Sequence, residues 1–260
     1  MQDYCHQTLR PKTSHARTIL CGVVLVRLLR LLGNPYGRKS FRNAVKSLIL
    51  RRGTTTDVRE VKNLTDFWEA AHSQRKQLWL TGSPPSEVIA RLDVMPDIAR
   101  DNASILDVGV GLGLMVEYLC DLGKRTSVLD VSQSALNRAK HWTSNCYRDA
   151  SDLPTNSFSL IMHHLVAQHM HDNALRMQII HLIRSLREGG VIAMQFAAPM
   201  SGGGVPTIHQ SLELQASGGV TRTPEEMCSL IVDVGGTIRS LTAREQWKRY
   251  GSVYWVVKFS

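Results

Sequence analysis

Four residues stand at alternate positions in ILDVGVGLG, residues 105–113: Asp107, Gly109, Gly111 and Gly113. A glycine-rich turn after an apolar run lets backbone lie against a ligand more closely than any side chain would allow. A second landmark is Asp130, in VLDVS at 128–132. A carboxylate at the end of a second strand can accept both hydrogen bonds of a ribose diol. Together they describe a site for a nucleoside, with the reaction still open. The dinucleotide fingerprint G-x-G-x-x-G would need glycine at 114, where the chain has Leu114, which weighs against a nicotinamide enzyme.

Downstream, YRDASDLPTNSFSLIMHHLVAQHMHD (147–172) adds Asp149 and Ala150 in a loop and four histidines, His163, His164, His169 and His171. The histidines are spaced irregularly across a strand end and a loop, so no metal site is expected. His164 and His169 are instead candidates to remove a proton, as attack by a hydroxyl group would require.

These residues need a scaffold, and the hydrophobic pattern supplies one. Strands are expected at 104–109, 126–131, 158–164 and 191–196. Helices are expected between them at 112–122, 132–142 with Ser132 as cap, and 173–187, the last stopped by Gly189-Gly190. A capped helix over 223–236 precedes two strands, 237–241 and 252–259, whose link is too short for a crossover. That pair should be antiparallel, on an otherwise parallel sheet covered on both faces. Upstream, helices are expected at 64–80 with Thr65 as N-cap and at 86–99.

The formal charge of +9 is unevenly spread. Residues 1–60 hold twelve Lys/Arg against three acids, while 61–260 hold 19 of each. The first sixty residues thus form a basic extension to a neutral domain, 61–260. Within it, 19–32 and 41–52 read as helices with wide apolar faces, the first carrying a strip of Arg27 and Arg30. No apolar run approaches the roughly 18 residues of a membrane span, and no cleavage site follows the run 19–26. Five scattered cysteines without CxxC fit a reducing cytoplasm.

In order, D-x-G-x-G-x-G, the acid at 130, the Asp149-Ala150 loop, Leu153-Pro154 before a strand, and LREGG at 186–190 resemble the class I S-adenosylmethionine-dependent methyltransferases. The resemblance covers residues 64–260. It implies a Rossmann-like, doubly wound, mostly parallel seven-stranded α/β sheet with an antiparallel final strand, and S-adenosyl-L-methionine as cofactor. It further implies that Gly109, Gly111 and Gly113 approach the amino-acid part of the cofactor, with Asp107 beneath them orienting the loop. Asp130 would hold the ribose and Val131 pack on the adenine. Asp149 would accept from the adenine amine, Ala150 would allow close approach, and His163 would contribute its backbone. Ser159 departs from the family, which usually has Asp there.

The acceptor is less defined. The chain has no Pro-Cys dipeptide for cytosine chemistry, and NPYG (34–37) lacks the second proline of a DNA amino-methylation motif. Basic residues flanking aliphatic faces fit a helix on an anionic membrane better than nucleic acid; a solvated lid is the plainer alternative. The expectation is O-methylation of a small-molecule, lipid-linked or glycan acceptor by a cytoplasmic protein in peripheral contact with the inner membrane surface. An RNA or protein methyltransferase and a nicotinamide-dependent reductase stand behind it, and a nucleoside-binding module without catalysis is the remaining alternative.

Overall fold

The computed structural model describes residues 64–74, 83–199, 215–216, 218–249 and 252–260. The expected extension, with its helices at 19–32 and 41–52, lies outside the described residues.

The parallel strands are β1 (Ser104–Val108), β2 (Arg125–Leu129), β3 (Cys146–Tyr147), β4 (Phe158–His163) and β5 (Leu186–Pro199). A terminal hairpin, β6 (Ile238–Arg249) and β7 (Ser252–Phe259), adds to β5 in antiparallel fashion. The sheet order is β3-β2-β1-β4-β5-β7-β6. The order in which successive strands are added reverses between the parallel neighbours β1 and β4, and in doubly wound sheets a ligand lies above that switch point.

Both faces are covered, which is why β1 and β4 are apolar almost throughout. On one face, α2 (Pro85–Leu92), α3 (Met95–Ala99) and α4 (Leu114–Asp121) bury Val88, Leu92, Ile98 and Leu119 against Ile105, Leu160, Met162 and Ala193. Next to them α5 (Gln133–Ala139) sets Ala135, Leu136 and Ala139 on Val128. On the other face, α6 (Asp172–Ser185) and α7 (Pro224–Val232) pack Leu175, Ile179, Leu182 and Ile231 on Leu106, Ile161, Ile192 and Val257. Alternate residues of each strand therefore belong to different layers.

The caps are where the composition put them. Ser132 Oγ accepts from the Ala135 amide at the start of α5. Thr223 and Glu226 form a reciprocal capping box at α7, with Pro224 in its first turn.

Several boundaries differ from expectation. The helix expected over 86–99 is two helices, broken where Asp93 turns left-handed (φ 55°) ahead of Pro96. Thr65 lies inside α1 (Leu64–Gln74) and does not cap it, and residues 75–80 are outside the description. Two residues of β3 are too few to leave a periodic signal, so the seventh strand had no place in the pattern. The β6 strand runs well past 241 through an irregularity between Arg244 and Lys248. Ser159, standing where the family has an acid, uses its buried hydroxyl both ways. It accepts from the Ser104 amide at 3.0 Å and donates to the Ser104 carbonyl at 3.1 Å, tying β4 to the start of β1.

Candidate active site

At the end of β1 the chain turns sharply, and Gly109, Gly111 and Gly113 all have positive φ (80°, 55° and 87°). At Gly109 the reason is also steric: a Cβ would meet Val166 Cγ2 at 2.4 Å, because the loop after β4 crosses directly above. At Gly113 a Cβ would meet the Trp142 ring at 2.9 Å. Neither position tolerates a side chain without displacement of its neighbour.

The loop is held from the side by Asp130. Its carboxylate accepts from the Gly111 amide at 3.2 Å and from the Ser132 amide at 2.9 Å. Asp107 was expected to orient the loop from beneath, but among the described residues no hydrogen bond reaches its carboxyl group. Asp107 is buried within β1. Burial, aided by the Asp130 charge, pushes Asp107 up to about 7. Burial also raises Asp130 to about 6, against the pull of the Ser132 and Gly111 amides and Arg138.

Around this turn lie surfaces suited to a nucleoside. Val131 is 40% exposed although apolar, offering a flat face at the mouth. Asp149 caps a short 3-10 turn (Ala150–Asp152) through the Ser151 amide at 2.8 Å, which holds its carboxyl below the usual range. Its side chain is exposed, and Ala150 beside it is buried.

Three of the four histidines, His163, His164 and His169, separate. His163 is fully buried towards α6, where its Nε2 meets Gln178 Oε1 at 2.8 Å, and burial lowers it to about 4. Its side chain is thus directed away from the turn, leaving its backbone at the end of β4 beside Val108. His164 falls on the opposite face; burial first, then the fields of Arg91 and His163, drive it down to about 3. His169 sits in a second 3-10 turn, Ala167–His169. Its Nδ1 lies 2.7 Å from the Gln215 carbonyl, and a carbonyl only accepts, so Nδ1 carries the proton and Nε2 is the basic nitrogen. Among the described residues no cluster of three His, Cys, Asp or Glu has metal-binding geometry.

The structure also brings in residues that the pattern did not single out. From α1, Glu69 accepts from Ser132 Oγ at 2.8 Å and from both the amide and the hydroxyl of Ser134. Arg138 on α5 donates to the His72 carbonyl at 3.1 Å and to the Gly111 carbonyl at 2.9 Å, joining α1 to the glycine turn. His72 is lowered to about 4 by burial and Arg138. Trp68, on the same helix, makes an edge-on ring contact with His169 at 4.8 Å. Arg222 is buried and donates to the carbonyls of Ala167 and Met170 and to Asp172, clamping the His169 turn from both ends. FWEAAH at 67–72 carried a signal for α1, in its two acid and imidazole groups on an apolar helix. Nothing around Arg222 distinguished it from a solvated arginine.

Residues 106–194 match the methyltransferase domain family. A curated relative, malonyl-[acyl-carrier protein] O-methyltransferase of Pseudescherichia vulneris, is 28% identical over 150 residues. The match takes in 56% of this chain, and the chain spans only 56% of that relative's length. Among solved structures, the Burkholderia thailandensis 1,6-didemethyltoxoflavin-N1-methyltransferase, crystallised with S-adenosylhomocysteine, superposes with a TM-score of 0.57 at 16% identity, covering 75% of this chain and 86% of that one. A Leishmania major SAM-dependent methyltransferase does so at 0.53 and 14%, covering 80% and 82%. Residues 106–194 thus carry a methyltransferase domain, in a fold shared with S-adenosylmethionine-dependent methyltransferases. S-adenosylmethionine is the cofactor of that class, and the cradle of positive-φ glycines beside Asp130 fits it.

Proposed function

We propose that this chain transfers the methyl group of S-adenosylmethionine to an oxygen of a small-molecule, lipid-linked or glycan acceptor. The observation that carries the reading is the pairing of the glycine turn with Asp130 at the switch point between β1 and β4. Bound cofactor supplies a methyl group already activated on a sulfonium, so the protein's work is alignment and, for a hydroxyl acceptor, proton removal.

Each part of the site has a task in this reading. Asp130 spends two lone pairs on Gly111 and Ser132 and has others for two ribose hydroxyls. Val131 packs on one face of the adenine, Asp149 accepts from its amine, and Ala150 allows the approach. Gly109, Gly111 and Gly113 present backbone to the amino-acid end, next to the His163 backbone. His169 Nε2 takes the acceptor proton, its ring oriented by the Gln215 carbonyl. His164, held neutral far below the working pH, is suited to hydrogen bonding more than to accepting a proton. The name of the curated relative supports an oxygen acceptor.

No helix among the described residues is long and apolar enough to cross a membrane. From the charge and apolar pattern of 19–52, we extend the proposal to peripheral contact with an anionic cytoplasmic surface. Full-length protein should then sediment with anionic vesicles and a chain starting near Gly53 should not, with salt weakening the binding.

The deciding experiment is a calorimetric titration with S-adenosylhomocysteine and with NADH, followed by labelled S-adenosylmethionine and a cell extract divided into lipid, sugar and RNA pools. Binding of S-adenosylhomocysteine and label in the lipid or sugar pool support the reading. Preferential NADH binding overturns the cofactor, and label confined to RNA overturns the acceptor.

A further inference from the structure

Gln195 within β5 and His164 just past the end of β4 carry buried side-chain atoms that have no hydrogen-bond partner among the described residues. Gln195 is 1% exposed, and both its Oε1 and its Nε2 are unpaired. His164 Nε2 is likewise buried and unpaired. Their shared level follows from register. His163, the last residue of β4, pairs with Met194 in the parallel β4–β5 ladder, so His164, the next residue, leaves the strand at the level of Gln195. Strand alternation puts both on the face of Met162, Ala193 and Val256, beneath α2. Arg91 of α2 acts electrostatically on His164, confirming that side. The level is that of the site: His163 is also the partner of Val108, immediately before Gly109.

A buried amide with neither atom satisfied carries an uncompensated desolvation cost at each unpaired group. Its neighbours on this face of the strands are Ala193, Ala197 and Val256, among which a leucine would pack without that cost. Exchanging the amide's O and N changes nothing, since both positions lack a partner. Such groups in a native interior ask for a ligand or a water that completes them.

We propose that Gln195 and His164 bind the methyl acceptor through a planar lactam- or amide-like edge. The inference rests on the methyltransferase reading of this end of the sheet and names the acceptor's chemical class. Gln195 presents an acceptor and a donor in one plane, and the complement is an N–H beside a C=O. His164 Nε2 adds a third contact. A carboxylate would set an oxygen against Gln195 Oε1. An ammonium would face Arg91, whose guanidinium is shared with Glu87 at 2.7 Å, and Arg244, which donates to the Arg91 carbonyl. A neutral edge with both donor and acceptor meets neither objection.

The probe is 2-pyridone, a small planar lactam, titrated into the full chain saturated with S-adenosylhomocysteine and followed by ligand-observed NMR. N-methyl-2-pyridone, which lacks the donor, and benzoate serve as comparisons. The expected result is binding of 2-pyridone alone, weakened at least about tenfold in Gln195→Leu. S-adenosylhomocysteine affinity, measured by calorimetry, should be unchanged in the variant. Gln195→Met is read in the same way if the leucine variant does not fold. Absence of 2-pyridone binding to the parent, equal binding to parent and variant, or preference for benzoate each overturns the proposal. The second of these, with a raised melting temperature, would make Gln195 the seat of a buried water. Failure of the parent to bind S-adenosylhomocysteine overturns the cofactor reading instead, so the two failures are distinguishable.

Discussion

The β1–β2 side of the site and the β4–β5 side are built on opposite principles. On the first, almost every polar group is answered by the protein itself: Asp130 by two amides, Arg138 by carbonyls of α1 and the glycine turn, Glu69 by two serines. On the second, both amide atoms of Gln195 and the Nε2 of His164 lie buried and unanswered among the described residues. A half that completes itself is preorganised for one ligand shared across a whole class of proteins. A half left incomplete is the place where one member of that class can select its own substrate. Asp107 is the exception within the completed half, and the largest expected effect falls on it.

Asp107 is raised to about 7 by burial and by Asp130, whereas an unfolded aspartate titrates near 4. Between about pH 4 and 7 the folded chain therefore holds a proton that the unfolded chain has lost, and stability falls as pH rises through that window. Asp107→Asn stays neutral at every pH in nearly the same shape. The variant's melting temperature, relative to the parent, should climb as pH goes from 5 to 8, by about 2–4 °C for each kcal/mol relieved. His72, His163 and His164 act in the opposite sense, losing stability as pH falls below 6.5, but they are common to both proteins and drop out of the difference. Parallel melting curves would show that Asp107 is not held protonated.

Arg222 supports the second half from behind. Arg222→Met deletes donors to the Ala167 and Met170 carbonyls and the Asp172 carboxylate. The expected loss is about 3 kcal/mol in chemical denaturation, at the upper end for a hydrogen bond to a charged group. Methyl transfer should fall further than S-adenosylhomocysteine affinity, because the His169 turn is what loosens. Equal loss in both would mean that Arg222 serves the fold and not this turn.

The completed half was also the legible one. Gly109, Gly111, Gly113, Asp130 and the Ser132 cap announce themselves locally, since turn geometry and caps are decided within a few residues. Even there the direct hold of Asp130 on the Gly111 amide was not legible, because which acid reaches the turn depends on where β2 ends beside β1. The incomplete half was illegible for a physical reason. Gln195 inside AMQFAAP looks like one polar residue on a strand, and only the β4–β5 register sets it level with His164. Arg222 and Glu69 likewise gain their meaning from contacts some fifty to sixty-five residues away in the chain.

Asp130→Ala tests the first half at its centre. Removing the carboxylate leaves the Gly111 and Ser132 amides without their acceptor and takes away the proposed ribose contacts. Charge-assisted hydrogen bonds are worth about 1.5–3 kcal/mol each, so S-adenosylhomocysteine affinity should fall at least about tenfold in calorimetry while far-ultraviolet circular dichroism is retained. Undiminished affinity would make Asp130 a brace between the glycine turn and the start of α5, without a contact to the cofactor.

Glu69 should give the smallest effect and the sharpest view of where the two halves meet. Its carboxylate holds α1 to the start of α5 through Ser132 and Ser134, and Trp68 on the same helix carries the edge contact to His169. Burial pushes Glu69 up, but the hydrogen bonds from Ser134, Ser132 and Gln133 together outweigh it, so the group titrates below its ordinary value. Contacts of this kind contribute while the acid is ionised and fade as pH falls through that lowered value. Glu69→Gln keeps an acceptor oxygen and loses the charge. The expected change is about twofold to fivefold in S-adenosylhomocysteine affinity, within the range of one weakened hydrogen bond, with the melting temperature nearly unmoved. If α1 couples the halves, quenching of Trp68 fluorescence on ligand binding should shrink in the same proportion, with signals from the other tryptophans subtracted using a Trp68→Phe variant. An affinity loss with unchanged Trp68 quenching would show that the latch serves the cofactor half alone, leaving the His169 turn to be set by Arg222.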